Sequence, residues 1–135
     1  MGLRVRILLD THVLVWLTGD ESRLSSSARQ LLKQRSTTVF VSTVSLWELA
    51  IKLSLGKLEL GIPLSDLIDK ELPSNGIEVL PISSEHVLEL ERLPRPPNGH
   101  ADPFDRMIVA QAIADGLELV SADAKLDAYG VERTW

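Results

Sequence analysis

Short apolar runs alternate along this chain with segments whose apolar positions recur every three to four residues. Val5–Leu9 is an apolar run ending in Asp10-Thr11, which predicts a buried strand followed by a helix cap. Val13–Leu17 continue in helical fashion to Gly19-Asp20, and Ser25–Gln34 sets Leu24, Ala28, Leu31 and Leu32 on one face of an amphipathic helix. Thr38–Ser42, β-branched and aromatic, predicts a second strand. A helix follows over Thr43–Leu55, stopped by Gly56. Two shorter helices, Pro63–Leu72 and Ser84–Leu93, flank a third strand at Ile77–Leu80. Pro94–Gly99 is a loop, Pro103–Asp115 a helix ending at Gly116, Glu118–Ser121 a fourth strand and Val131–Thr134 a candidate fifth. Strands alternating with helices predict an α/β fold with a mainly parallel sheet of four to five strands. Too little chain follows the proline-rich loop for a second core, so 1–135 is read as one domain.

That topology places four acids together. Asp10 and Asp123 follow the first and fourth strands, at the carboxyl edge of a parallel sheet. Glu48 lies near the start of the helix that leaves the second strand, and Asp105 near the start of the helix that feeds the fourth, so both reach the same edge. Four carboxylates in one cleft repel one another unless a cation is present. A hard ion such as Mg2+ or Mn2+ accepts oxygen ligands, leaves room for substrate phosphate and acidifies a water for attack on phosphorus. Metal-assisted phosphodiester hydrolysis fits such a set without a Ser, His or Lys nucleophile.

Each acid has a structural alternative. Asp102 before Pro103 reads as a helix N-cap, with Asp105 at the third helical position. Ser45-Leu46-Trp47-Glu48 matches a capping box, Glu48 and Lys52 match a surface i, i+4 pair, and Asp10 and Asp123 match turn or cap residues. The set of four carries the chemistry. Ser45, Glu48 and Lys52 form a thin polar stripe that suits either solvent or a cleft wall. Lys52 and Arg106, each close to a proposed ligand, are candidate contacts to a substrate phosphate. His100 is a candidate to contact phosphate or a carboxylate behind the metal ligands, but a loop histidine without a role is the preferred reading. Trp16 and Trp47 are read as core residues rather than base-stacking platforms. The three histidines lack zinc-ligand spacing.

Composition adds limits. A net charge of −5 argues against broad, charge-driven nucleic-acid binding, although carboxylates reserved for a metal account for part of it. With no cysteine, disulfides, thiolate zinc sites and cysteine nucleophiles are excluded. No run approaches the length of a membrane span, and Asp10 and His12 interrupt the N-terminal apolar run too early for a signal peptide. A soluble, cytoplasmic protein without membrane attachment is expected.

Ile7-Leu8-Leu9-Asp10-Thr11-His12, Ser45–Lys52, Asp102-Pro103-Phe104-Asp105-Arg106-Met107-Ile108-Val109-Ala110-Gln111-Ala112 and Val120-Ser121-Ala122-Asp123 together resemble the signature segments of PIN-domain proteins of the VapC toxin family, in that family's order and over nearly the whole chain. The resemblance implies a three-layer α/β/α fold and a Mg2+- or Mn2+-dependent endoribonuclease. It also implies a type II toxin–antitoxin role with a small antitoxin partner, and pairing as a homodimer. It carries the family's four acids onto Asp10, Glu48, Asp105 and Asp123, and supporting hydroxyls onto Thr11 and Ser121; Asp102 is an N-cap with possible access to the metal shell through water. Rival readings are a Mg2+-dependent phosphatase or receiver domain and a non-catalytic binding module. His12 stands where a phosphatase of the haloacid-dehalogenase type needs its second Asp, and Pro81 follows the third strand where a receiver needs its phosphorylated Asp.

Overall fold

The computed structural model describes residues 4–135. Five strands, β1 (Val5–Leu9), β2 (Thr37–Ser42), β3 (Ile77–Leu80), β4 (Glu118–Val120) and β5 (Arg133–Thr134), form one sheet in the order β3-β2-β1-β4-β5. Every pairing is parallel, with Leu9 opposite Val41 on one side and Val120 on the other. The expected mainly parallel sheet is thus wholly parallel.

A parallel sheet needs helices over both faces, and β1 shows how the sequence provides for this. Ile7 and Leu9 point to one face, where they pack with Val13 and Leu14 of α1 (Thr11–Thr18), Ala28 of α2 (Ser26–Lys33) and Leu46 and Leu49 of α3 (Thr43–Ser54). Leu8 points to the other face, against Ile108, Val109 and Ala112 of α7 (Pro103–Asp115). The three expected layers follow. The helix α6 (Ser84–Arg92) packs on α7.

The segment read as a helix over Pro63–Leu72 is helical but irregular. It runs as α4 (Leu64–Asp66), a π-helical stretch (Leu67–Glu71) and α5 (Leu72–Ser74). Pro73, which has no N–H to return to the preceding turn, stands two residues past the widened stretch. Leu67 and Leu72 are nonetheless buried in the core, so the irregularity keeps the apolar face seated. The fourth strand closes at Val120, one residue short of expectation, because Ser121 turns its side chain to the site described next.

The strand order reverses direction at β1: β2 and β3 are added on one side, β4 and β5 on the other. The carboxyl ends of β1 and β4 meet at this switch, where open α/β sheets bind their ligands.

Candidate metal centre

Asp10 sits at that switch, 3% exposed. Its N–H donates to the Val120 carbonyl, continuing the sheet by one bond. As N-cap of α1, its Oδ1 accepts the Thr11 N–H at 2.8 Å, and its Oδ2 accepts the Ser121 hydroxyl at 2.7 Å. Ser121 Oγ also accepts the Asp123 N–H at 3.1 Å, so one hydroxyl ties the two strand-end acids into a single turn. His12 completes this arrangement. Its Nε2 accepts the Ala122 N–H at 3.0 Å, which places the ring proton on Nδ1, 3.5 Å from Asp10 Oδ2.

Glu48 enters from α3. The N-cap of that helix is Ser42, whose side chain accepts the Val44 N–H, so the capping-box reading of Ser45 and Glu48 is corrected. Both lie on the buried face: the Thr11 hydroxyl donates to Glu48 Oε1 at 2.7 Å and stands 2.9 Å from Ser45 Oγ. Lys52 Nζ lies 2.9 Å from Glu48 Oε2. This hydrogen bond raises the lysine pKa against the opposing effect of burial, with further contributions from the charges of Glu48, Asp102 and Asp105. The polar stripe on α3 is therefore a cleft wall.

Asp102 caps α7, its Oδ1 accepting the N–H groups of Phe104 and Asp105. Asp105 stands one turn inside. Burial pushes its carboxyl up to about 7; the negative charges of Asp10 and Asp102 add to this, a hydrogen bond from His100 pulls it back, and Glu48 adds a smaller upward push. Asp123, the N-cap of the 3-10 turn Ala124–Tyr129, accepts the Lys125 N–H.

Asp10, Glu48, Lys52 and Asp105 line one cleft of about 500 Å³, whose far wall includes Trp16 and Arg23. A ligand-bearing atom each from His100, Asp105 and Asp123 lie within 4.8 Å of one another, the one such His and carboxylate grouping among the described residues. His100 is thus not a loop histidine without a role: Nε2 lies 3.1 Å from Asp105 Oδ2 and Nδ1 2.7 Å from the Tyr129 hydroxyl. Arg106 donates to that hydroxyl and to the Pro94 carbonyl, and its guanidinium sits over the Tyr129 ring. Its position fastens the proline-rich loop to α7.

Trp16 packs half-buried between His12 and Trp135, whereas Trp47, read as core, is 59% exposed with its ring edge-on to Phe104. Residues that sequence reasoning passed over are His12, Ser45 and Tyr129. His12 was visible as a polar side chain two positions after Asp10; nothing in the sequence linked Tyr129 to His100.

A wholly parallel three-layer sheet with acids gathered at its switch point defines an α/β protein built to concentrate negative charge in a cleft. The PIN domain family model matches residues 7–132, and the chain belongs to the PIN domain family. Over 123 residues it is 29% identical to Ribonuclease VapC22 of Mycobacterium tuberculosis (strain ATCC 25618 / H37Rv), covering 91% of each chain. Among solved structures it is similar to a chain of DNA-bound VapBC2 from Rickettsia felis (TM-score 0.71, 19% identity, 96% of this chain and 98% of that one). It is similar also to a chain of DNA-bound VapBC from Salmonella typhimurium (TM-score 0.70, 20% identity, 96% and 97%). FitAcB from Neisseria gonorrhoeae follows the same fold (TM-score 0.62, 20% identity, 96% of each chain). No helix among the described residues is long and apolar enough to cross a membrane.

Proposed function

We propose that this protein is a divalent-metal-dependent endoribonuclease, the toxin of a type II toxin–antitoxin pair, with Asp10, Glu48, Asp105 and Asp123 as its acidic centre and Mg2+ or Mn2+ as its ion. One observation carries the metal reading: Asp105 and Asp123 bring ligand atoms, with His100, within 4.8 Å of one another, at a place where burial first, and then the charges of Asp10 and Asp102, push the Asp105 carboxyl up to about 7. A divalent cation offsets the negative charge gathered there, and the four carboxylates offer the oxygen donors that Mg2+ and Mn2+ accept. The bound ion supplies charge stabilisation at a phosphoryl oxygen and acidifies a water.

The residues divide the remaining work. Ser121 and the Thr11 N–H hold the Asp10 carboxylate in a single orientation, and Ser121 sets the turn that presents Asp123. Thr11 and Lys52 hold Glu48 between them. Lys52, 47% exposed along its side chain and on the cleft wall, is placed to meet a phosphate of the RNA. Arg106 is engaged instead by the Pro94 carbonyl and the Tyr129 hydroxyl, and His100 faces Asp105.

The antitoxin partner is supported by the neighbouring folds, which come from VapBC and FitAcB complexes. Exposed apolar side chains at β3 and α6, including Val79, Ile82, Val87 and Leu88, offer surface for an antitoxin or for a homodimer contact. Action in the cytoplasm follows from an RNA substrate. The test is cleavage of a mixed RNA substrate with Mg2+ or Mn2+, alongside EDTA and Asp10→Asn. Cleavage that needs the ion and drops at least a hundredfold in Asp10→Asn is expected. Equal cleavage by the variant and by the EDTA-treated enzyme would falsify the metal mechanism.

A further inference from the structure

His100 reaches the centre from outside the acidic set. Its side chain is 9% exposed, although it stands directly after the proline-rich loop 94–99. Three bonds fix it there. Its backbone N–H donates to Asn98 Oδ1 at 2.9 Å, Asn98 Nδ2 donates to the Lys125 carbonyl, and the Tyr129 hydroxyl donates to the His100 carbonyl at 3.4 Å. Its Nδ1 lies 2.7 Å from the Tyr129 hydroxyl oxygen, which also accepts from Arg106 Nη1. Its Nε2 faces Asp105 Oδ2 across 3.1 Å, on the edge of the ring turned toward the acids.

The other side of the centre is differently occupied. Glu48 has Oε1 engaged by Thr11 and Oε2 by Lys52, and both oxygens of Asp10 already accept a hydrogen bond. The least engaged donors converge at His100, Asp105 and Asp123, with ligand-bearing atoms mutually within 4.8 Å. A ring nitrogen facing the site while the other N–H is held by an oxygen is the arrangement that orients a metal-binding imidazole.

From this geometry we infer that His100 is a direct nitrogen ligand of the divalent ion, alongside Asp105 and Asp123, and that it biases the centre toward Mn2+ over Mg2+. The bias follows because imidazole nitrogen suits transition ions, whereas Mg2+ prefers oxygen. The inference rests on the metal-dependent reading above and extends it to one ligand and one ion preference.

The experiment is Mn2+ binding to the purified wild-type protein, followed by pulsed electron paramagnetic resonance, with His100→Gln and His100→Ala compared. Wild type is expected to show nitrogen hyperfine coupling from an imidazole, and both variants to lose it. Mn2+ affinity should fall on the order of 10–100-fold in the variants, and Mg2+ affinity much less, so that the Mn2+ to Mg2+ preference narrows. His12 and His86 cannot substitute in that spectrum, since His12 Nε2 is held by the Ala122 N–H and His86 pairs with Asp115 far from the cluster. Bound Mn2+ without nitrogen coupling in wild type overturns the assignment and leaves an all-carboxylate site standing. Wild type that neither binds Mn2+ nor cleaves RNA overturns the nuclease reading as well. If a variant fails to fold, the wild-type spectrum alone decides.

Discussion

Ser121 Oγ donates to Asp10 Oδ2 at 2.7 Å, joining residues 111 positions apart in sequence at the carboxyl ends of β4 and β1. Both are buried, and the same oxygen accepts the Asp123 N–H. Ser121→Ala removes both bonds at once and leaves a buried carboxylate short of a donor. A loss of roughly 1–3 kcal/mol in unfolding free energy is expected, measured by denaturant titration. Metal affinity should fall several-fold in the same variant, while Ser121→Thr recovers part of each. Unchanged metal affinity in Ser121→Ala would show that the hydroxyl serves stability only.

Lys52 neutralises part of the centre through Glu48. Lys52→Met leaves the acids with more uncompensated negative charge, so the two consequences have opposite signs. The metal-free protein should melt lower than wild type, and the affinity for a divalent ion, read by calorimetry, should rise by roughly two- to tenfold. A simultaneous fall in stability and in metal affinity contradicts the electrostatic assignment.

Asp105 makes the metal-free protein sensitive to pH in a defined direction. Its folded pKa, about 7, stands above its ordinary value of 3.8. Between those values the folded protein keeps a proton that the unfolded chain has released, so stability conferred by the proton is complete at low pH and is lost as pH rises toward 7. The melting temperature of the metal-free wild type, less that of Asp105→Asn, should therefore decline from pH 5 to pH 8. Saturating Mn2+ should abolish the decline. A difference that stays level without metal would remove the repulsion on which the centre is argued.

Trp47 is exposed and touches Phe104 edge-on at 4.9 Å between ring centroids, whereas Leu49, two residues on, is fully buried. Trp47→Ala should cost at most about 1 kcal/mol, and Leu49→Ala about 2–5 kcal/mol. Urea unfolding of both variants checks the pair, and a comparable cost for each would restore Trp47 to the core.

His12 accepts the Ala122 N–H and faces Asp10 with its other nitrogen. His12→Ala should cost roughly 1–3 kcal/mol by leaving that N–H without its partner, and should loosen the turn that presents Asp123. His12→Gln, whose amide oxygen can accept the same bond, should recover most of the stability. Failure of glutamine to do better than alanine argues that ring packing on Trp16, not the hydrogen bond, is what matters.

Much of this fold was legible because its periodicities are uncommonly clear. Val5–Leu9 reads as a buried strand, and its last three residues, Ile7–Leu9, are buried toward both faces, while Gly116 terminates α7 in the left-handed conformation that the pattern anticipates. The edge carrying the acids was legible for the same reason, since strand polarity alone places Asp10 and Asp123. The rest depended on partners distant in sequence. Glu48 looked like half of a capping box because the actual cap, Ser42, belongs to a strand that runs straight into its helix. His100 looked idle because its value comes from Tyr129, 29 residues on, and from the loop that buries it. Trp47 looked like core because aromatic side chains usually are, and only packing shows which face of α3 meets the sheet.

The switch at β1 also bears on when the centre comes into being. The sheet on the β1-β2-β3 side uses residues up to Leu80, yet Asp10 acquires its second oxygen's partner, and Asp123 its place, only when β4 docks on β1. A chain still emerging from the ribosome, or one whose β4 and β5 have peeled away, keeps much of its core but has no assembled centre. The proposed cleavage would therefore wait until folding is complete, and any partial unfolding that frees β4 would end it first.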